Sequence, residues 1–382
     1  MKCLRCNNTD ERFFGYDQGV YYCRKCIAFG RLDINEKIQP CSLTKRVIKK
    51  SYQLKYELTP YQKKVSDLVL DYLKKEKDVF LFACTGAGKT EITFESIYYY
   101  LLQGKKVGFA ISRRQVVLEI ASRLQEAFQH CKVVAVTQGY TDDVDGDIIV
   151  CTMHQLYRYP YGFDLLIMDE VDAFPYVDNE VLQSISDLSC IGQKLYLSAT
   201  PDDYSKSQME KGNMKMVTLF KRPHRYPLPV PKVLILPFFL QILIALFLCI
   251  QFYKQHKQIL LFVPRKEDTI LIHYILLPFV KNQYIYSSIE NKDDIMNQFR
   301  NKQFDCLIST TLLERGITIP DVQVIVVDGS HSVFTTASLI QIFGRAGRSF
   351  ENPEGKCYCL CSKINPSIKE CVKQLKMMND SV

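Results

Sequence analysis

The stretch FLFACTGAGKTEI, residues 80–92, closes an apolar run with a loop of small residues that leads into Lys89 and Thr90. Such a loop can wrap phosphates: small residues let successive backbone N–H groups converge on anionic oxygens, a lysine reaches the β- and γ-oxygens, and a hydroxyl meets Mg2+. Thr85, Gly86, Ala87, Gly88, Lys89 and Thr90 supply these parts, although Ala83 stands where the usual pattern has its first glycine. The competing reading is a strand-to-helix turn that happens to contain GKT.

A second apolar run, LLIMDEVDAF at 165–174, ends in Asp169 and Glu170, 80 residues after Lys89. An Asp at a strand end can hold the Mg2+ that bridges β- and γ-phosphates, and the adjacent Glu can orient and deprotonate an attacking water. Alone, DEVD would read as a solvated acidic turn. Paired with the loop, it predicts an ATP-hydrolysing site with Lys89, Asp169 and Glu170 in the chemistry.

Four of the fifteen cysteines fall into two C-x2-C pairs, Cys3/Cys6 and Cys23/Cys26, with sixteen residues between them. That spacing fits a structural Zn2+ held by four thiolates, and Phe13, Phe14, Tyr21 and Tyr22 are too few to make a core without metal. Cys41 lies outside the pattern. An odd cysteine count and the absence of an apolar leader in MKCLRCNNTD predict a reducing cytoplasmic location. Net charge is +8, of which residues 1–50 carry +6 through eleven Lys or Arg against five Asp or Glu. This concentration suits a polyanion partner or, equally, a solvated basic linker.

Between and after these motifs come ELTPYQ (57–62), ISRRQ (111–115), CTMHQL (151–156), LSAT (197–200), LLFVPRKED (260–268), STTLLERGITIPDVQVIVVD (309–328) and QIFGRAGR (341–348). In this order they resemble the motifs of superfamily 2 DNA/RNA helicases over residues 57–348. The resemblance implies that Gln62 reads adenine, that Ser198 and Thr200 couple nucleotide to movement, that Gly316 contacts nucleotide, and that Arg345 and Arg348 reach the γ-phosphate. Two guanidiniums spaced i, i+3 would share one helix face. Ile342 stands where that family often has another Arg. Single-stranded nucleic acid is expected to lie on Arg113, Thr152, Thr310 and Thr311, held through phosphates and so without regard to sequence.

The cysteine pairs together with TGAGKTE, DEVDAFPY, TTLLERG and NPSIKECVKQLKMMN narrow this to a resemblance to the ComFA family of competence ATPases of Gram-positive bacteria. It implies a single-stranded-DNA-dependent ATPase at the inner face of the cytoplasmic membrane. There it would assist import of transforming DNA with a ComFC-like partner and the membrane uptake channel. Two rivals are a primosome- or repair-type helicase, and a zinc-dependent scaffold without turnover, which would have no need of Lys89, Glu170 and Arg345 together.

Alternating strands and helices predict an α/β chain with two RecA-like domains, each built on a parallel sheet, after a small zinc-ribbon module. The expected boundaries are 1–45 for the module, 46–222 for the ATP-binding domain, 223–232 for a Pro-rich linker and 233–382 for the C-terminal domain. KRPHRYPLPVPK (221–232), with four prolines, should be an extended hinge. Residues 233–250 carry no charge, long enough for a membrane helix, yet Pro237 interrupts them and one crossing would separate Asp169 from Arg345. A short strand plus a buried or interfacial helix is expected instead.

Overall fold

The computed structural model describes residues 1–314, 319, 321–349 and 353–381. They form two compact units, one of residues 1–83 and 88–219, the other of 84–87 and 220–382.

The first unit opens on an antiparallel hairpin, β1 (Phe14–Asp17) and β2 (Val20–Cys23), in which Phe14 pairs with Cys23 and Tyr16 with Tyr21. Period-two alternation turns Phe14 and Cys23 inward, where they pack with Leu32 and the other three cysteines in a core of six buried residues. So small an apolar core is marginal by itself.

The main body of this unit is a seven-stranded sheet. In chain order its strands are β3 (Asp78–Ala83), β4 (Val107–Ile111), β5 (Val133–Val136), β6 (Ile148–Thr152), β7 (Phe163–Asp169), β8 (Cys190–Ser198) and β9 (Met214–Leu219). Their spatial order is β5-β6-β4-β7-β8-β3-β9, and every pairing is parallel. Strands covered on both faces read as unbroken apolar runs, as VFLFA in β3 and LLIM in β7 do. The helix Pro60–Lys74 starts at a capping box: Gln62 N donates to Thr59 Oγ1, and Gln62 Oε1 accepts from Thr59 N at 2.9 Å.

The second unit holds a six-stranded, wholly parallel sheet in the order β10-β15-β14-β11-β13-β12. Its strands are β10 (Lys232–Ile235), β11 (Gln258–Phe262), β12 (Asn282–Ile285), β13 (Cys306–Ser309), β14 (Val322–Val326) and β15 (Cys357–Cys361). The uncharged stretch forms β10 and the helix Phe238–Lys254, as expected. That helix buries Gln241, Ala245, Leu248, Cys249 and Phe252 against the sheet. Buried Gln241 is satisfied at both ends, donating to Leu236 O and accepting from Asp328 N, each at 2.9 Å. Among the described residues no helix is long and apolar enough to cross a membrane.

The Pro-rich stretch, expected to be extended, forms no helix or strand over 225–231 and is bonded within the second unit. Arg222 is 2% exposed, and its guanidinium donates to the carbonyls of Gly344, Ala346 and Gly347 at 3.0, 3.0 and 2.7 Å. Asn379 brackets Leu228, accepting from its N–H and donating to its C=O. Prolines deny the stretch its own backbone pairing, and the second unit supplies polar partners instead. The first unit ends at Leu219.

Candidate nucleotide site and cysteine cluster

In the first unit the register sets out the site. Phe82 of β3 stands beside Ser198 of β8, and Leu197 of β8 beside Asp169 of β7, so the carboxyl ends of three neighbouring strands carry the phosphate loop, Ser198 and Asp169. Ligands of open α/β sheets sit outside this edge. Gly88 has φ +81°, a left-handed backbone suited to glycine, and Lys89 starts the helix Lys89–Ile92 that follows. Its first turn is fastened by Thr93 Oγ1 donating to Thr90 O (2.7 Å), by Ser66 Oγ donating to Ile92 O (2.8 Å) and by an ion pair of Arg123 with Glu91.

Burial pushes the Asp169 carboxyl up to about 6, opposed by the Lys89 ammonium. A buried carboxylate facing a cation suits a divalent ion that would complete its neutralisation. Glu170 stands next in chain with φ +57°, unusual for a residue with a side chain, held by its N–H donating to Leu197 O and to Asp169 Oδ1. Ser198 and Thr200, the pair expected to couple nucleotide to movement, are bonded to this turn: Ser198 Oγ donates to Thr200 O, and Thr200 Oγ1 donates to Asp172 Oδ2 at 2.7 Å. Asp172 was not singled out from the sequence, yet its place in DEVD was the available signal.

Gln62 is buried beside this loop. A Cβ added at Gly88 would lie 2.7 Å from Gln62 Nε2. Arg113 follows β4 and Thr152 ends β6, and Ile111 and Thr152 are register partners, so both expected nucleic-acid residues stand on the same carboxyl edge as the loop.

In the second unit Thr310 and Thr311 follow β13 at its carboxyl end. Arg345 and Arg348 do not share a helix face: the helix Thr336–Phe343 stops before them, Arg345 stands in the turn beyond it and Arg348 past that turn. Between the two arginines the backbone is left-handed at a glycine. Gly347 has φ +63°, and a Cβ there would come within 2.4 Å of Pro353 O. Arg345 is buried and donates to Glu314 O at 3.2 Å, while Ser338 donates to the Glu314 carboxylate. Gly316 lies outside the described residues.

The cysteine module gathers Cys3, Cys6, Cys23 and Cys26 with all four sulfurs buried and within 4.8 Å of one another. Sγ of Cys3 is 3.7 Å from Cys26, and Sγ of Cys6 is 3.6 Å from Cys23. Four sulfurs about 2.3 Å from a central Zn2+ would stand roughly 3.8 Å apart in a tetrahedron, so the donor set fits the ion. The hydrogen bond shared with Cys3 pushes the Cys26 thiol far up while it draws Cys3 down. Crowded buried thiolates exclude one another unless a cation offsets their charge.

The module is fixed to the first unit by Lys25 with Glu180 (2.8 Å), by Ser184 Oγ donating to Cys6 O (3.2 Å) and by Val181 packing on its core. The charge of residues 1–50 is less available than the sequence suggests. Arg12 pairs with Asp10, Arg31 with Asp17 and Asp33, Lys45 with Asp164, and Arg46 with buried Asp147.

Residues 55–203 match the family model described as type III restriction enzyme, res subunit, and residues 240–350 match the helicase conserved C-terminal domain. The chain is similar to competence protein ComFA of Streptococcus pneumoniae, 34% identical over 391 residues that span 99% of this chain and 90% of that protein. It is similar also to ComFA of Bacillus subtilis, at 32% over 406 residues, 99% of this chain and 86% of the relative. Among solved structures, S. cerevisiae Dbp5 bound to RNA and ADP BeF3 matches with a TM-score of 0.57 at 14% identity, over 85% of this chain and 92% of that one. At that identity the likeness speaks for the fold alone: two RecA-like α/β domains with parallel sheets.

Proposed function

This chain belongs to the ComFA family of helicase-like, ATP-hydrolysing enzymes, and from that premise we propose that it is a single-stranded-DNA-dependent translocase that assists uptake of transforming DNA. The observation that carries the reading is the gathering of Gly88, Lys89, Thr90, Asp169, Glu170, Ser198 and Thr200 at the carboxyl edge of one sheet, with Thr200 bonded to the turn that bears Glu170.

Bound ATP and Mg2+ supply the scissile phosphoanhydride and the charge that offsets its oxygens. Around them Lys89 would take β- and γ-oxygens, and Thr90 and Asp169 would hold the metal. Glu170 takes the proton of the attacking water, and Arg345 and Arg348 offset charge at the γ-phosphate. The Thr200–Asp172 bond supports a link between hydrolysis and movement. DNA phosphates would meet Arg113, Thr152, Thr310 and Thr311.

One structural Zn2+ on Cys3, Cys6, Cys23 and Cys26 is part of this reading, supported by the sulfur spacing. So is work at the inner face of the cytoplasmic membrane beside a ComFC-like protein and the uptake channel. Two features favour a place on an anionic apolar boundary. The helix Phe238–Lys254 exposes Phe239, Leu243 and Phe247 along one side, and residues 211–266 carry no carboxylate and ten Lys or Arg, eight of them other than buried Arg222 and Lys257, which pairs with Asp321.

The deciding experiment is ATP hydrolysis by the full chain with and without an oligo-dT strand. A strong rise with the single strand and a smaller one with duplex are expected. Hydrolysis indifferent to both would overturn the DNA-dependent reading while leaving the ATPase standing.

A further inference from the structure

Phe174 is the most exposed of the large apolar residues described, at 87%. A lone exposed apolar side chain is ordinary. This one differs in being held out by a rigid turn four residues past Glu170. Its chain neighbours Ala173 and Pro175 are buried, as is Tyr176, whose hydroxyl meets Ser186 Oγ at 3.2 Å. Ala173 N donates to Glu170 O at 3.0 Å, and Ala173 O accepts from Tyr176 N and Val177 N at 2.9 and 3.0 Å. Every residue around Phe174 is packed or hydrogen-bonded, so the ring is presented outward without a loop that must first be ordered.

The ring borders a depression of about 380 Å3 whose other walls include Lys25 of the cysteine module, Asp178, Asn179 and Glu180. Lys25 pairs with Glu180 and also stands 5.8 Å from the centre of the Phe13 ring. The rim therefore carries both signs of charge. Asp178 and Glu180 repel phosphate, which rules this out as a track for the strand's backbone, whereas the neutral face of a base meets no such penalty. Carboxylate and amide oxygens there can accept from edge N–H groups, of which every base carries at least one.

We propose that Phe174 is a stacking platform for one base of a single-stranded nucleic acid, seated beside Lys25 where the cysteine module meets the turn after Asp169 and Glu170. The inference rests on the reading of the chain as a single-stranded-DNA-dependent ATPase and adds to it a base contact outside the phosphate-holding residues. Stacking accepts any base, in keeping with an enzyme that moves along arbitrary sequence.

The chain contains no tryptophan, so Phe174→Trp installs a single fluorophore at the platform. Its emission should be quenched by an oligo-dT strand and not by an abasic strand of equal length and charge. By fluorescence anisotropy with the same dT strand, Phe174→Ala should bind about tenfold more weakly, and Phe174→Tyr should keep the native affinity. The slope of affinity against salt should be the same in all three, because a base contact displaces no counterion. Equal affinity of wild type and Phe174→Ala, equal quenching by the abasic strand, or a shallower salt slope in Phe174→Ala would each overturn the stacking contact and leave the proposed function intact. Wild type that binds no single strand would sink both.

Discussion

The side-chain amide of Gln62 occupies the space that a Cβ on Gly88 would need, with Nε2 2.7 Å from that point. The contact is made from the cap of another helix: Thr59 N and Oγ1 both donate to Gln62 Oε1 at 2.9 Å, which turns the amide nitrogen toward the phosphate loop. A helix-capping residue thus shapes the nucleotide loop, and the position at 88 must be small and left-handed together.

Gly88→Ala should therefore fail twice. The left-handed backbone at φ +81° costs a side-chain residue about 1–2 kcal/mol, and the new methyl would push Gln62 from its cap. We expect affinity for a fluorescent ATP analogue to fall more than tenfold while the second unit keeps its fold. Unchanged affinity would show that the Gln62–Gly88 contact has no bearing on nucleotide.

Lys89→Ala and Glu170→Gln should both abolish turnover but separate in binding. The first removes a phosphate contact; the second keeps the shape of the turn and takes only the proton-accepting carboxylate. Nucleotide titration should find Glu170→Gln close to wild type and Lys89→Ala much weaker. Matching affinities, or hydrolysis surviving in either, would remove these residues from the roles assigned.

Metal analysis of the purified chain should find one zinc, lost when Cys3 and Cys6 are both replaced by Ser. The module's core is six buried residues, four of them the cysteines themselves, so residues 1 to about 40 should then lose protection in hydrogen exchange. The seven-stranded sheet should keep its protection, since its strands lie between 78 and 219. A zinc-free wild type would defeat the assignment, provided no chelator was used in purification.

Arg46→Ala should act on stability and not on DNA. Its partner Asp147 is buried, and among the described residues its carboxylate would then keep one hydrogen bond, from Lys132 N (2.7 Å). Stranding a buried carboxylate in this way costs roughly 1–3 kcal/mol, and denaturant unfolding should show it. A large loss of single-strand affinity without loss of stability would mean that Arg46 faces phosphate in the working state.

Binding of single strands should weaken as salt rises, with a slope of roughly −0.7 per phosphate contact. It should also be nearly the same for dT, dA and mixed sequences of equal length. Strong preference for one sequence would place base-edge readout where phosphate contacts are proposed.

Much of the candidate nucleotide site's local geometry was legible in the chain because it depends on near neighbours. TGAGKT and the apolar runs before it and before Asp169 set backbone shape and strand ends over a few residues, and two C-x2-C pairs bring sulfurs within reach of one ion through tight local turns. The uncharged stretch could likewise be divided into strand and helix at Pro237, since proline blocks continuation whatever surrounds it.

What the tertiary structure alone decided is who meets whom across long separations. It bonds Thr200 to Asp172, puts Gln62 against Gly88, neutralises Lys45 and Arg46 on Asp164 and Asp147, buries Arg222 among the carbonyls at 344–347, and leaves Phe174 outside while both its neighbours go in. The helix expected beneath Arg345 and Arg348 ended early, with Pro353 packed where a side chain at Gly347 would have to go. Spacing along a chain limits local conformation, but a charge is available, and a ring exposed, only according to what folding brings beside it, and for these residues those neighbours come from distant segments of the chain.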